Sequence, residues 1–89
     1  MIFEIWYEDL KHVEINEQIG FRLKIARKAA GYKSALDFAT KNNIPPSTYS
    51  QHEAGKRALT PALMINYSAL LNITSPWLLT GVGHPCPDA

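Results

Sequence analysis

SALDFATKNNIPPSTYSQHEAGKR, residues 34–57, is the stretch whose reading decides the fold. It reads as two short helices joined by a tight turn. Ser34 is a candidate N-cap with Asp37 in a capping-box-like position, and the helix behind it runs to about Lys41 or Asn42. Phe38 and Ala39 face inward, and Ala39 is small, as two short helices crossing closely require. Asn43 closes the turn, because asparagine tolerates positive φ better than other non-glycine residues. Ile44 plugs the turn into the core. Pro45-Pro46 opens the second helix, where a proline costs no hydrogen bond. Ser47 to about Glu53 complete it, with Tyr49 and His52 inward and Ser47, Thr48, Ser50 and Gln51 on the remaining faces. Ala54-Gly55 ends it, and Lys56-Arg57 follow in a basic loop.

Upstream, Ile15, Ile19, Leu23, Ala26 and Ala30 recur at helical spacing and predict a helix from about Asn16 to Ala30. Gly31 suits its C-terminal cap, and Arg27 and Lys28 suit the negative end of its dipole. Residues 1–14 leave two readings open. Ile2, Ile5, Trp6, Leu10 and Val13 fit an amphipathic helix, whereas MIFEIWY is rich in β-formers and fits a short edge strand. Either way the aromatic residues need a partner surface, in this chain's core or on a second subunit. Downstream, Thr60-Pro61 starts a helix to about Leu71 that buries Leu63, Met64, Tyr67, Leu70 and Leu71, with Asn72 as its cap. Ser75-Pro76 starts a last short helix carrying Trp77, Leu78 and Leu79, and Gly81 stops it. The tail GVGHPCPDA has no periodicity and is expected to be mobile. The organisation predicted is an all-α chain: an extension over 1–14, a five-helix domain over 15–81 and a tail over 82–89.

Eighty-nine residues with 46% hydrophobic content make one globular domain near the lower size limit for folding unaided. The single Cys86 cannot pair internally, which fits a reduced, cytoplasmic protein. No run is long and apolar enough to span a membrane, and MIFEIWYEDL carries acids where a signal peptide needs a basic start. The net charge of +1 conceals a segregation. Residues 1–17 hold Glu4, Glu8, Asp9, Glu14 and Glu17 against Lys11. Residues 18–57 hold Arg22, Lys24, Arg27, Lys28, Lys33, Lys41, Lys56 and Arg57 against Asp37 and Glu53. A basic middle coinciding with the paired helices is the footprint of a phosphate-binding face, although a solvated helix surface gives the same pattern.

Taken together, RLKIARKAAGY, the Phe38-Ala39 pair, STYSQHEAGKR and TPALMINYSALLNITSPWLLTG make residues 19–81 resemble the phage-repressor and Cro-type (lambda-repressor-like) helix-turn-helix family. The order and spacing of these pieces carry the likeness, above all SPWLLTG and the ExGKR loop. The resemblance implies five helices, with the third reading DNA in the major groove. It implies that Arg27 pairs with Glu53 to fix that helix on the first. It assigns base reading to the start of the third helix and one turn on, here Pro46, Ser47, Ser50 and Gln51, with Thr48 beside them. Pro46 can contribute shape or a thymine-methyl contact, whereas the Gln51 amide can pair with adenine N6 and N7. Phosphate positions fall at the N-termini of the second and third helices and in the loop, hence Lys33, Ser34, Lys56 and Arg57. The chain departs from the family at Ala35, where many members carry a phosphate-clamping glutamine, and at Asn42 and Asn43 in the turn.

The implied function is sequence-specific binding of double-stranded DNA by a small transcriptional regulator, a repressor of bacterial or phage origin, without cofactor or metal. The helix from Pro46 to Glu53 holds no Arg or Lys, so one half-site binds modestly and a homodimer on a palindrome is expected. Its contact candidates are Trp77, Leu78 and Val82, or residues 1–14. The alternative is an antitoxin or protein-interaction module that engages a toxin or other protein partner. An enzyme is disfavoured: His12, His52, His84 and Cys86 form no catalytic or zinc-ligand spacing, and no phosphate-cradling glycine motif occurs.

Overall fold

The structure is a computed structural model that describes the backbone of residues 2–87 and the side chains of residues 15–87. The expected roles of the side chains in residues 1–14, His12 included, lie outside the described residues. Five helices follow in order: α1 (Ile2–Ala29), α2 (Ala35–Lys41), α3 (Pro46–Glu53), α4 (Pro61–Leu71) and α5 (Ser75–Thr80). No strand occurs among the described residues.

The boundary expected near residue 15 is not a break in the backbone. α1 is one helix of 28 residues, because no proline or glycine interrupts the chain before Gly20. Gly20 itself lies in the helix for a packing reason. A Cβ there would collide with the Glu53 carbonyl oxygen and lie 2.8 Å from that of His52. α1 therefore crosses the end of α3 backbone against backbone.

The core forms where α1 meets the other helices. Ile19, Leu23 and Ala26 of α1 pack with Phe38 and Ala39 of α2, Tyr49 of α3, Tyr67 and Leu71 of α4 and Leu78 of α5. The Phe38 and Tyr49 rings sit 4.8 Å apart, and Tyr49 meets Tyr67 edge-on at 5.4 Å. Such pairs add about 0.5–1.5 kcal/mol each beyond their area. Leu70, expected in the core, lies on the outer side of α4 at 37% exposed.

Side-chain caps fix the helix starts. Ser34 Oγ accepts the Asp37 N–H at 3.0 Å. The capping box stays half-formed, since the Asp37 carboxylate pairs forward with Lys41 Nζ at 3.1 Å. Thr60 Oγ1 accepts the Leu63 N–H at 3.1 Å. α5 is capped by Thr74, one residue before the expected start, while the Ser75 hydroxyl donates to Ser68 Oγ at 3.1 Å. Asn43 turns the chain between α2 and α3 at φ 59.

Residues 82–87 fold back on the domain. The Thr74 N–H donates to the Pro85 carbonyl at 2.9 Å, and the Thr74 hydroxyl donates to that of His84 at 2.9 Å. At the other end of α5, Arg22 Nη1 donates to the Leu78 and Leu79 carbonyls at 3.0 and 3.3 Å. A cation on the last carbonyls of a helix is favoured by its dipole.

Candidate nucleic-acid interface

α3 has an inner face that locks it and an outer face that is free. On the inner face, Arg27 Nε donates to Glu53 Oε2 at 2.9 Å and Nη2 donates to Oε1 at 3.1 Å. Nη1 donates to the Tyr32 carbonyl at 2.9 Å. The two side chains are only 4% and 10% exposed, so this is a buried, two-pronged pair. One guanidinium thereby ties α1 to the end of α3 and to the loop before α2. The hydrogen bond to Glu53 raises the Arg27 pKa further above its usual value.

Tyr49 and His52 complete the inner face, three residues apart on one side of the helix. His52 Nδ1 lies 2.9 Å from the Tyr67 hydroxyl. Burial, and then the positive charge of Arg57, lower the His52 pKa, so the imidazole is neutral at pH 7. Burial also raises the Tyr67 phenol. Burial, followed by the Glu53 carboxylate, pushes the Tyr49 phenol far above its usual value. Among the described residues the Tyr49 hydroxyl has no hydrogen-bond partner.

On the outer face, Ser47, Ser50 and Gln51 are exposed along one stripe with Pro46 at its head. Thr48 is half-buried toward the flank. The stripe presents hydroxyls and one amide and carries no charge. The basic groups come from outside α3: Lys56 and Arg57 are exposed in the following loop. The Lys56 N–H donates to the Gln51 carbonyl at 3.0 Å, which folds this loop back against the helix end. Lys33 and Ser34 are exposed at the start of α2.

The helix N-termini offer fewer backbone donors than a bare helix would. Pro45 and Pro46 carry no N–H, and the Tyr49 N–H donates to the Pro45 carbonyl at 3.1 Å. Ser47 and Thr48 remain to meet an anion there. At α2 the Asp37 and Phe38 N–H groups are taken by Ser34, leaving those of Ala35 and Leu36.

Sequence reasoning missed two residues that position this face. Gly20 permits the close crossing under α3, and Arg22 anchors α5. Arg22 has no signature in the sequence, because its partners are carbonyl groups 56 and 57 residues away. The expected dimer contacts need one correction. Leu78 is 0% exposed and belongs to this chain's own core. Trp77 is half-buried, Val82 is 74% exposed, and Leu79 is the residue beside them that reaches the surface, at 45%.

No cluster of His, Cys, Asp and Glu among the described residues could hold a metal ion. No described helix is long and apolar enough to cross a membrane. A family model described as helix-turn-helix matches residues 23–78, from the middle of α1 into α5. No curated protein and no solved structure matched the chain.

Proposed function

The chain belongs to the Cro/CI-like family of DNA-binding helix-turn-helix regulators, and from that premise we propose that it is a sequence-specific transcriptional repressor. In this reading α3 lies in the major groove of double-stranded DNA. Gln51 pairs with a base edge, Ser47, Thr48 and Ser50 bond bases or nearby phosphates, and Pro46 packs against the groove. Lys33, Lys56 and Arg57 flank the helix and neutralise phosphates, and the Ser34 hydroxyl donates a hydrogen bond to one. The observation that carries the reading is the division of α3. Its inner face is pinned by the buried Arg27–Glu53 pair, and its outer face is a rigidly held polar stripe bordered by basic loops.

The absence of Arg and Lys from α3 makes a single half-site weak, so the operator is read by a homodimer on a palindrome. Half-site centres then lie about 34–36 Å apart, one turn of the duplex. Selection of binding sites from random duplexes tests this directly. The expected product is a palindromic consensus whose affinity falls steeply with salt. No enriched site, or an affinity indifferent to salt, would overturn it and favour a module that binds protein partners.

A further inference from the structure

The C-terminal motif HPCP, residues 84–87, takes no part in the DNA reading proposed above. Pro85 and Pro87 have a fixed φ, and each holds the residue before it, His84 and Cys86, away from helical backbone. The segment is therefore stiff before it docks. The residues leading into it are the reverse. Gly81 and Gly83 turn the chain at φ 76 and φ 91, values that a side chain resists and glycine adopts freely. Between them the Val82 N–H donates to Thr80 Oγ1 at 3.1 Å, which ties the turn to the end of α5. A glycine hinge thus leads into a stiff strap.

Among the described residues, the hydrogen bonds between this strap and the domain fall on one residue, Thr74. Its N–H donates to the Pro85 carbonyl and its hydroxyl to the His84 carbonyl, each at 2.9 Å. The same hydroxyl oxygen accepts the Trp77 N–H at 3.4 Å and so caps α5. A hydroxyl that donates on one side is the better acceptor on the other, and its rotamer is held. The docked strap therefore orients the cap. Beside the latch, Pro85 and Cys86 join Ile25, Leu71, Ile73 and Trp77 in lining an apolar groove of about 370 Å³.

We propose that residues 82–87 are a closing strap, hinged at Gly81 and Gly83 and latched by Thr74, which opens separately from the rest of the domain. As it opens it loosens the start of α5 and uncovers the groove. The strap residues are all exposed, whereas Leu23, Phe38 and Tyr49 of the core are 0% exposed. A segment held at one residue opens at a lower free energy than the whole domain unfolds. Because one hydroxyl serves both strap and cap, α5 responds to the state of the strap. Leu79 of α5 and Val82 of the hinge are both exposed, so the strap also sets how these two apolar side chains are presented. The proposal depends on neither DNA binding nor dimerisation.

Native-state hydrogen exchange of the full chain, without DNA and at low guanidinium concentrations, tests the strap. The Thr74 N–H reports the latch and the Trp77 N–H reports the cap. In the wild type both are expected to be protected, but to exchange faster than the amides of Leu23 and Tyr49 and with a smaller dependence on denaturant, as a local opening requires. The full-length variant P85G/P87G softens the strap and leaves Thr74 in place. It is expected to exchange about tenfold faster at both positions, the worth of one hydrogen bond. Thr74→Val is expected to lose protection at both, and Thr74→Ser, which keeps the hydroxyl, to retain it. In a Trp6→Phe background, acrylamide quenching of Trp77 is expected to rise in P85G/P87G. Four results would each overturn the proposal: no protection at position 74 in the wild type, protection and denaturant dependence equal to those of Leu23, faster exchange at 74 with none at 77 in P85G/P87G, or unchanged quenching.

Discussion

Truncating Glu53 to Ala strands the Arg27 guanidinium in a site where its side chain is 4% exposed. An unpaired buried charge of this kind costs about 3–5 kcal/mol. E53A should lose that much in urea denaturation, and the apolar replacement R27M/E53L should lose much less. A loss within the ~0–1 kcal/mol of a surface pair would show that the site is wet. His52 adds a pH dependence whose sign follows from its lowered pKa, caused by burial and then by Arg57. As pH falls, the unfolded chain takes up the proton first, at about pH 6.5. The contribution is therefore complete above that value and is lost as pH drops through it toward the lower folded pKa. Tyr67 is the hydrogen-bond partner, so H52Q lowers Tm at every pH, and the informative quantity is the slope. Tm of wild type should fall more steeply than that of H52Q between about pH 7.5 and 5.5; parallel curves would refute the assignment. Gln51 is outside this network. Q51A should leave Tm unchanged and relax base preference at one operator position by about 1–3 kcal/mol.

Among the elements, α1 shows where sequence and structure part. Alanine is a better helix former than glycine by about 1 kcal/mol, which predicts that G20A stabilises α1 in isolation. In the folded chain the new Cβ meets the backbone of His52 and Glu53, which cannot move aside as a flexible side chain could. G20A should lower Tm and tilt α3, and a raised Tm would refute the close crossing. The paired helices of residues 34–57 were legible because caps, turn and inward residues are each marked locally by Ser34, Asn43, Pro46, Phe38 and Tyr49. The continuity of α1 was not, since the β-formers of MIFEIWY argue for a different local structure and no breaker decides the matter. Three consecutive apolar residues on the six-residue α5 could not say which one is buried; packing against the rest of the core selects Leu78. The return of residues 82–87 was hidden because it uses the carbonyls of His84 and Pro85, which every residue possesses.

At the scale of the whole molecule, the polar stripe of α3 depends on charges borne by neighbouring loops. Lys56 and Arg57 lie in the segment between α3 and α4, and both are exposed. Replacing each by Ala should weaken binding to all duplexes alike and reduce the salt slope by about one for every phosphate left without its cation, with Tm unchanged. A weakening confined to one sequence would move these residues from phosphate to base contact. The outer candidates for base contact also differ in kind from the residues that hold α3 in place. Ser47, Ser50 and Gln51 are exposed, whereas Tyr49, His52 and Glu53 anchor the helix from within. The helix is in this respect a fixed mount with an exchangeable label. Random libraries at positions 47, 50 and 51 can therefore be screened for new operators in one unchanged fold, and the text that is read can be rewritten without rebuilding the reader.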